Sequence, residues 1–270
     1  MKQASSGKQR VRQQFGASAA AYATSQVHAK GASLARLVEL VRPQPEWRVL
    51  DVATAAGHTA LTFAPHVAHV TATDITEPML TVAAQLAQDR GVANISLQTA
   101  DAEDLPFNDN AFDLVTCRIA AHHFADVGRF LADAARVLRP GGLLAVVDNV
   151  VPGSRLRGKK AQRQRDAGRY VNAFEKLRDP SHHRCLSLSQ WEDAFHNTAF
   201  KLTHQETASK QIDFDDWAAR MHVSAENRLR LRALLLQAPE SVADFLSPQL
   251  SGDKLSFWLT EAILIGRKPA

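Results

Sequence analysis

Arg48 to Pro65 reads RVLDVATAAGHTALTFAP, and the fold depends on how this stretch is read. Val49, Leu50 and Val52 form a short apolar run around Asp51, small residues follow from Ala53 to Gly57, and Thr59 to Ala64 begins a helical pattern. That order is buried strand, tight turn, helix. In a parallel sheet such a junction sets free backbone N–H groups and the positive end of a helix above the strand's carboxyl end, where open α/β sheets bind ligands. Small side chains at Ala53, Ala55 and Gly57 let a ligand lie against the backbone, so a nucleotide-like ligand is expected there.

Working outward, the 270 residues are 45% hydrophobic, enough for one large domain or a domain with a cap. A net charge of +4 permits an anionic partner without calling for nucleic acid. Cys117 and Cys185 stand far apart, which suggests neither a disulfide framework nor a zinc site; a reducing, cytoplasmic compartment and no metal are expected. The first residues, MKQASSGKQRVRQQ, lack the apolar core of a secretory signal. No apolar run is long enough to span a membrane, since Asp148 interrupts the longest candidate, Leu143 to Val151.

Residues 9–42 carry two helical patterns that precede the sheet. Strands are expected at Val67–Thr73, Ile95–Thr99, Ala111–Ile119, Leu143–Val151, Lys201–Thr207 and Leu255–Lys268, with a helix at Val127–Leu138 and another opened by the capping pattern of SLSQ at Ser187. Asp74 closes the second strand, where a carboxylate accepts both hydroxyls of a ribose diol; a helix N-cap is its bland alternative. Glu77-Pro78 starts the next helix. His122 and His123, after the fourth strand, are the best general-base candidates because histidine titrates near neutrality. Trp217 and Met221 lie one turn apart and face either a substrate or the core. RDPSHHR at Arg178–Arg184 is too short and polar to be core and is expected to hang from a cap near the ligand.

The opening stretch resembles motif I of the class I S-adenosylmethionine-dependent methyltransferases, an acidic residue followed by G-x-G-x-G. Asp51 fills the acidic place, and Ala53, Ala55 and Gly57 fill the glycine places, so two of three glycines are replaced. Ala100–Phe107, ADAEDLPF, resembles the family's D-A-x-x-L-P-F pattern, and Arg136–Leu143, RVLRPGGL, its signature before the fifth strand, where Pro140 is expected to stop the helix and the glycines to permit the reversal. Gln14–Lys30 resembles the N-terminal segment of ubiquinone/menaquinone-type and related small-molecule methyltransferases, whose helices close over the cofactor.

The resemblance implies a doubly wound α/β fold, a seven-stranded Rossmann-like sheet with its last strand antiparallel. A helical cap over 1–42 would accompany a methyltransferase domain over 43–270, with cap insertions at 153–186 and 208–250. It implies S-adenosyl-L-methionine as cofactor, with Asp74 on the ribose, Ile75 over the adenine face, Asp101 and Ala102 on the adenine edge, and Cys117 and Arg118 beside the methionine portion. Tyr22 then joins His122 and His123 as a candidate for proton transfer. The expected reaction is methyl transfer to carbon, oxygen or nitrogen of a small-molecule acceptor. One alternative is an adenosyl-ligand protein of the same fold that transfers no methyl group, kept open by Ala55. A weaker one is an NAD-dependent oxidoreductase, which lacks G-x-G-x-x-G here. AAHH offers no aromatic stacking element for a nucleic acid base, and oligomeric state stays open.

Overall fold

The computed structural model describes the backbone of residues 2–23 and 31–270, and side chains from residue 7 onward except 17, 18 and 20–30. Eight strands form one sheet: β1 (Arg48–Val52), β2 (His69–Asp74), β3 (Ile95–Thr99), β4 (Phe112–Arg118), β5 (Leu138–Val150), β6 (Lys201–Asp213), β7 (Gln249–Ser251) and β8 (Lys254–Arg267). Their order is β3-β2-β1-β4-β5-β8-β6, with β7 pairing to β8. The first five are parallel, and β8 runs antiparallel to both β5 and β6. The strand order reverses at β1, between β2 and β4, so the crevice above those carboxyl ends is the natural ligand position.

The central strands are buried on both faces, their alternate residues pointing to opposite layers. Leu50, Val52, Val115 and Val146 pack with Phe130 and Leu131 of α5 (Val127–Val137) and with Trp191 and Phe195 of α7 (Leu188–His196). On the other face Val49, Val70, Leu114 and Val147 meet Leu37 and Val41 of α2 (Ala32–Val41) and Phe63 of α3 (His58–Phe63). α4 (Glu77–Asp89) links β2 to β3 and carries Pro78 in its first turn. α7 opens with the capping box expected from its sequence, the Ser187 side chain and Gln190 each bonding the other's backbone.

A third apolar cluster lies in the cap. Phe174 of α6 (Lys159–Arg178), Trp217 of α8 (Phe214–Ala219), Leu231 and Leu235 of α9 (Ala225–Leu236) and Leu246 of α10 (Glu240–Leu246) pack on Phe257 and Leu259 of β8. α1 (Lys2–Ala23) lies against α4.

Three expectations are corrected. β6 continues to Asp213 rather than stopping at Thr207, paired to β8 as far as Asp213↔Ser256, and this long hairpin raises the cap cluster beyond the parallel strands. The short β7 adds an eighth strand, turned into β8 through Gly252 at φ +59°. Pro140 does not stop α5: Leu138 is already extended and paired with Phe112. The two glycines that follow are required, Gly141 for its φ of +76° and Gly142 because a Cβ would stand 2.9 Å from the Arg139 carbonyl oxygen.

Candidate active site

A cavity of about 1600 Å³, its open mouth included, runs from the turn after β1 to the cap. At one end Ala53, Thr54 and Ala55 line it with main chain and small side chains, opposite Asp74, Ile75, Met79 and Ala100 to Glu103. The turn between β1 and α3 is left-handed at three alternate residues, Ala53 (φ +54°), Ala55 (+48°) and Gly57 (+80°). Glycine takes that conformation freely, whereas alanine pays on the order of 1–2 kcal/mol for it. The turn is pinned all the same, by Thr54 N–H to the Thr73 carbonyl (2.8 Å), Gly57 N–H to the Thr54 carbonyl (2.9 Å) and Ala55 N–H to Asp74 Oδ2 (2.9 Å). Ala55 lines the cavity without closing it.

Asp74 is not the cap of α4, whose N-cap position is Thr76. Its second oxygen accepts from Thr76 N–H at 2.9 Å. Burial raises its pKa, against those backbone N–H groups, which favour the charged form. A carboxylate has about four acceptor positions, so two backbone bonds leave capacity for a ligand's hydroxyls. Asp101 lines the cavity opposite, bonded to Glu103 N–H at 3.0 Å, and Ala102 is buried beside it. Lys8 of α1 pairs with Asp101 and, at 3.2 Å, with Glu103, while Phe15 of the same helix packs edge-on to His123 with centroids 5.0 Å apart. α1 therefore forms one wall of the cavity. Tyr22 belongs to this helix, but its side chain lies outside the described residues.

Three of the expected residues sit behind the cavity wall. Asp51 is 1% exposed and accepts from the hydroxyls of Thr54 and Thr116, the latter at 2.7 Å. Desolvation raises its pKa to about 6, opposed by those two hydroxyls. It ties the turn to β4. Gly57 faces Ala83 of α4, where a Cβ would come within 3.0 Å of the Ala83 Cβ. Cys117 is wholly buried in the ladder between β1 and β5, its thiol pushed up by burial and then by Asp148. Arg118 does line the cavity, its Nε donating to Thr59 Oγ1 at 3.2 Å.

After β4 the chain turns sharply at Ile119, a β-branched residue held at φ +54° with its N–H on the Val147 carbonyl at 2.7 Å. Strain of this kind costs roughly 1–3 kcal/mol and collects at functional sites. The turn delivers Ala121–His123, one turn of 3₁₀ helix, to the middle of the cavity. His122 Nδ1 meets Asp148 Oδ1 at 2.6 Å. The His122 side chain is 11% exposed and that of Asp148 1%. Burial pulls the His122 pKa down, but Asp148, helped by Glu175 and Asp179, outweighs it and the net shift is upward. With Nδ1–H held by the carboxylate, a neutral His122 presents Nε2 as an acceptor.

His123 is different. Its Nδ1 lies 3.2 Å from Ser181 Oγ, and burial followed by the neighbouring His122 pushes its pKa down to about 4. His182 joins the pair, its ring 5.4 Å from that of His122, and burial followed by both neighbouring histidines pushes it to about 2. The loop that carries it is moored to the His122 carbonyl by the N–H groups of His183 and Arg184, each at 2.8 Å. RDPSHHR thus lies beside the histidines, but Asp179, Ser181 and His182 are buried, so the segment is packed into the interior rather than hanging free of it as its polarity suggested. Among the described residues no group of three or more His, Cys, Asp or Glu side chains is placed to hold a metal ion. Nor is any described helix long and apolar enough to cross a membrane.

The far end of the cavity is lined by the cap and its hairpin: Glu175, Arg178, Lys210, Ile212, Trp217 and Met221. Trp217 and Met221 face the cavity as well as the core. Asp148 and Glu175 were not selected from sequence, although a carboxylate interrupting the apolar run Leu143–Val151 is itself a signal, since a charge in a buried strand requires a partner.

A family profile described as a methyltransferase domain matches residues 50–146, the segment holding the turn, Asp74, Asp101 and both histidines. YcgJ of Bacillus subtilis, described as an uncharacterized methyltransferase, is 35% identical over 258 residues, 94% of this chain and 97% of the relative. This chain belongs to the class I methyltransferases. The crystal structure of YcgJ superposes with a TM-score of 0.81 at 34% identity, over 88% of this chain and 98% of that one. A methyltransferase-like structure from Bacillus halodurans gives 0.82 at 35% identity, over 89% and 100%. The UbiE ubiquinone/menaquinone biosynthesis C-methyltransferase of Ectopseudomonas mendocina is 39% identical, over 126 residues only, 45% of this chain and 49% of that one. The similarity to the YcgJ class thus spans the cap, whereas that to UbiE covers less than half of the chain.

Proposed function

We propose that this methyltransferase moves the methyl group of S-adenosyl-L-methionine to a small-molecule acceptor bound under the cap, with His122 as the proton-accepting group. The observation that carries the reading is the continuity of one cavity from the left-handed turn after β1, past His122 and Asp148, to the cap residues. The adenosyl end fits such a cofactor: small residues at Ala53 and Ala55, carboxylates at Asp74 and Asp101, and apolar cover from Ile75 and Met79. Asp74 would take the ribose hydroxyls, Asp101 and the Ala102 N–H the adenine edge, and Arg118 and its neighbours the amino-acid end. When bound, the cofactor supplies a methyl group already activated on a sulfonium.

The protein's own task is then positioning. Cap and α1 exclude water from the middle of the cavity. His122 Nε2 accepts a proton from the acceptor's nucleophilic atom, and Asp148 orients the ring and stabilises the imidazolium through Nδ1. His123, held neutral, shapes the wall. Radiolabelled S-adenosylmethionine incubated with the protein and small-molecule extract fractions tests this. Label should appear in a small product with wild type and fall sharply with His122→Ala. Undiminished transfer by that variant would remove the proton-transfer role, and no transfer despite cofactor binding would favour the non-transferring alternative.

A further inference from the structure

The cap end of the cavity contains polar atoms that the described structure leaves without partners. Glu175 is 7% exposed, and its Oε1 has no hydrogen-bond partner among the described residues. Its other oxygen, Oε2, lies 3.6 Å from Arg178 Nη1, beyond hydrogen-bond reach. Trp217, 2% exposed, has an unpartnered indole Nε1–H, although its ring is stacked on Phe174 and lies under the Arg178 guanidinium at 4.7 Å. Asn149 Oδ1, next to Asp148 on β5, is likewise unpartnered. All three residues line the cavity. Buried polar atoms are paired in almost all proteins, and exceptions call for an explanation. Here the three belong to separate elements, α6, α8 and β5, whose residues line the same cavity.

The chemistry of the set narrows the occupant. Indole N–H only donates, while a carboxylate and an amide oxygen accept. A carboxylate ligand would satisfy Trp217 but bring like charge to Glu175. An ammonium ligand would suit Glu175 but leave the indole N–H unmatched and face Arg178 and Lys210 on the same lining. A hydroxyl both donates and accepts, and is neutral. Ile212, Met221 and Leu259 supply an apolar surface for the body that carries it.

We infer that the cap end is a recognition site for a neutral hydroxylated acceptor, its hydroxyl groups engaging Glu175 Oε1 and the Trp217 indole N–H over an apolar wall. The inference rests on the methyltransfer reading for the word acceptor, but the site is defined by its own atoms. Burial also raises the Glu175 carboxyl pKa, against Arg178 and His122, as expected for a group awaiting a partner.

Catechol, phenol, toluene, benzylamine and benzoate, titrated into protein saturated with S-adenosylhomocysteine and followed by NMR, test it. Catechol and phenol should bind at least about fivefold tighter than the other three. Glu175→Gln and Trp217→Phe should each cut catechol affinity about five- to tenfold while leaving S-adenosylhomocysteine affinity within twofold. Trp217→Phe removes buried ring volume along with the orphan donor and should lower the melting temperature, whereas the near-isosteric Glu175→Gln should not; weaker catechol binding by Glu175→Gln at an unchanged melting temperature separates a binding role from a structural one. Toluene binding as well as catechol, preference for benzylamine or benzoate, absence of binding by all five, or variants that bind catechol normally would overturn the inference. Failure of S-adenosylhomocysteine to bind while the probe preference persists in the free protein would instead overturn the cofactor reading alone.

Discussion

At the proposed adenosyl end, the lining is backbone and short side chains from the segments that follow three consecutive strands, β1, β2 and β3: Ala53–Ala55, Asp74–Ile75 and Asp101–Ala102. At the proposed acceptor end it is long side chains from segments far apart in the chain, His122, Glu175, Lys210 and Trp217, with Asp148 buried behind His122. The first end is local in sequence, and its geometry follows from where strands stop in a parallel sheet. The second exists only once the β6/β8 hairpin lifts the cap over the histidines. On the proposed reading, the general chemistry is written on one side of the cavity and the choice of acceptor on the other.

The comparison is sharpened most by separating chemistry from cofactor binding. With an acceptor in hand, His122→Ala should lower kcat by about 100-fold or more, while S-adenosylhomocysteine affinity moves less than twofold. Asp148→Asn should cost about tenfold to 100-fold in kcat. Because Asp148 holds the His122 pKa up, its loss should also move the acidic limb of the pH–rate profile to lower pH. A purely structural Asp148 would lower the melting temperature and leave that limb in place.

Acid should distinguish the two ends next. His123 and His182 are pushed down to about 4 and about 2, so between the ordinary value of 6.5 and those values the unfolded chain binds protons that the folded one refuses. Their contribution is complete above pH 6.5 and is lost as pH falls. His122 acts in the opposite sense, its contribution present below 6.5 and lost as pH rises through its raised folded value. Asp51, Asp74 and Glu175, raised by burial, act against the two depressed histidines in the same range, so the readout is a difference: between pH 6.5 and pH 4.5 the melting temperature of His123→Phe, which preserves an aromatic contact with Phe15, should fall less or rise more than that of wild type.

The smallest effects belong to the backbone turn. Gly57→Ala, with φ at +80° and Ala83 Cβ 3.0 Å from the new methyl, should cost about 1–2 kcal/mol by denaturant unfolding. Ala53→Gly should do the reverse, gaining up to about 1 kcal/mol as left-handed strain is relieved. If both changes were neutral, the turn would not be the constrained element described.

What sequence revealed divides along the same line. Strand-turn-helix order, the Ser187 capping box and the strand end at Asp74 were legible because they are local patterns with one physical solution. Asp51 occupies the family's acidic place, yet in this fold it binds Thr54 and Thr116 behind the wall; its residue type alone could not separate those roles. Asp148 was visible as a charge in an apolar run, but its partner, 26 residues earlier, was not. Lys8 and Glu175 gave no local signal, since a lysine on a polar helix and a glutamate beside Arg178 look like solvated faces until packing brings them to the cavity.

The most direct test of the central claim is calorimetric titration of S-adenosylhomocysteine into wild type, Asp74→Ala and Asp148→Asn side by side. The account predicts a dissociation constant on the order of micromolar for wild type, about tenfold or more weaker binding for Asp74→Ala, and an unchanged value for Asp148→Asn. Equal binding by all three, or none by wild type, would contradict a cavity whose adenosyl end is organised by Asp74 and whose chemistry lies at the histidines.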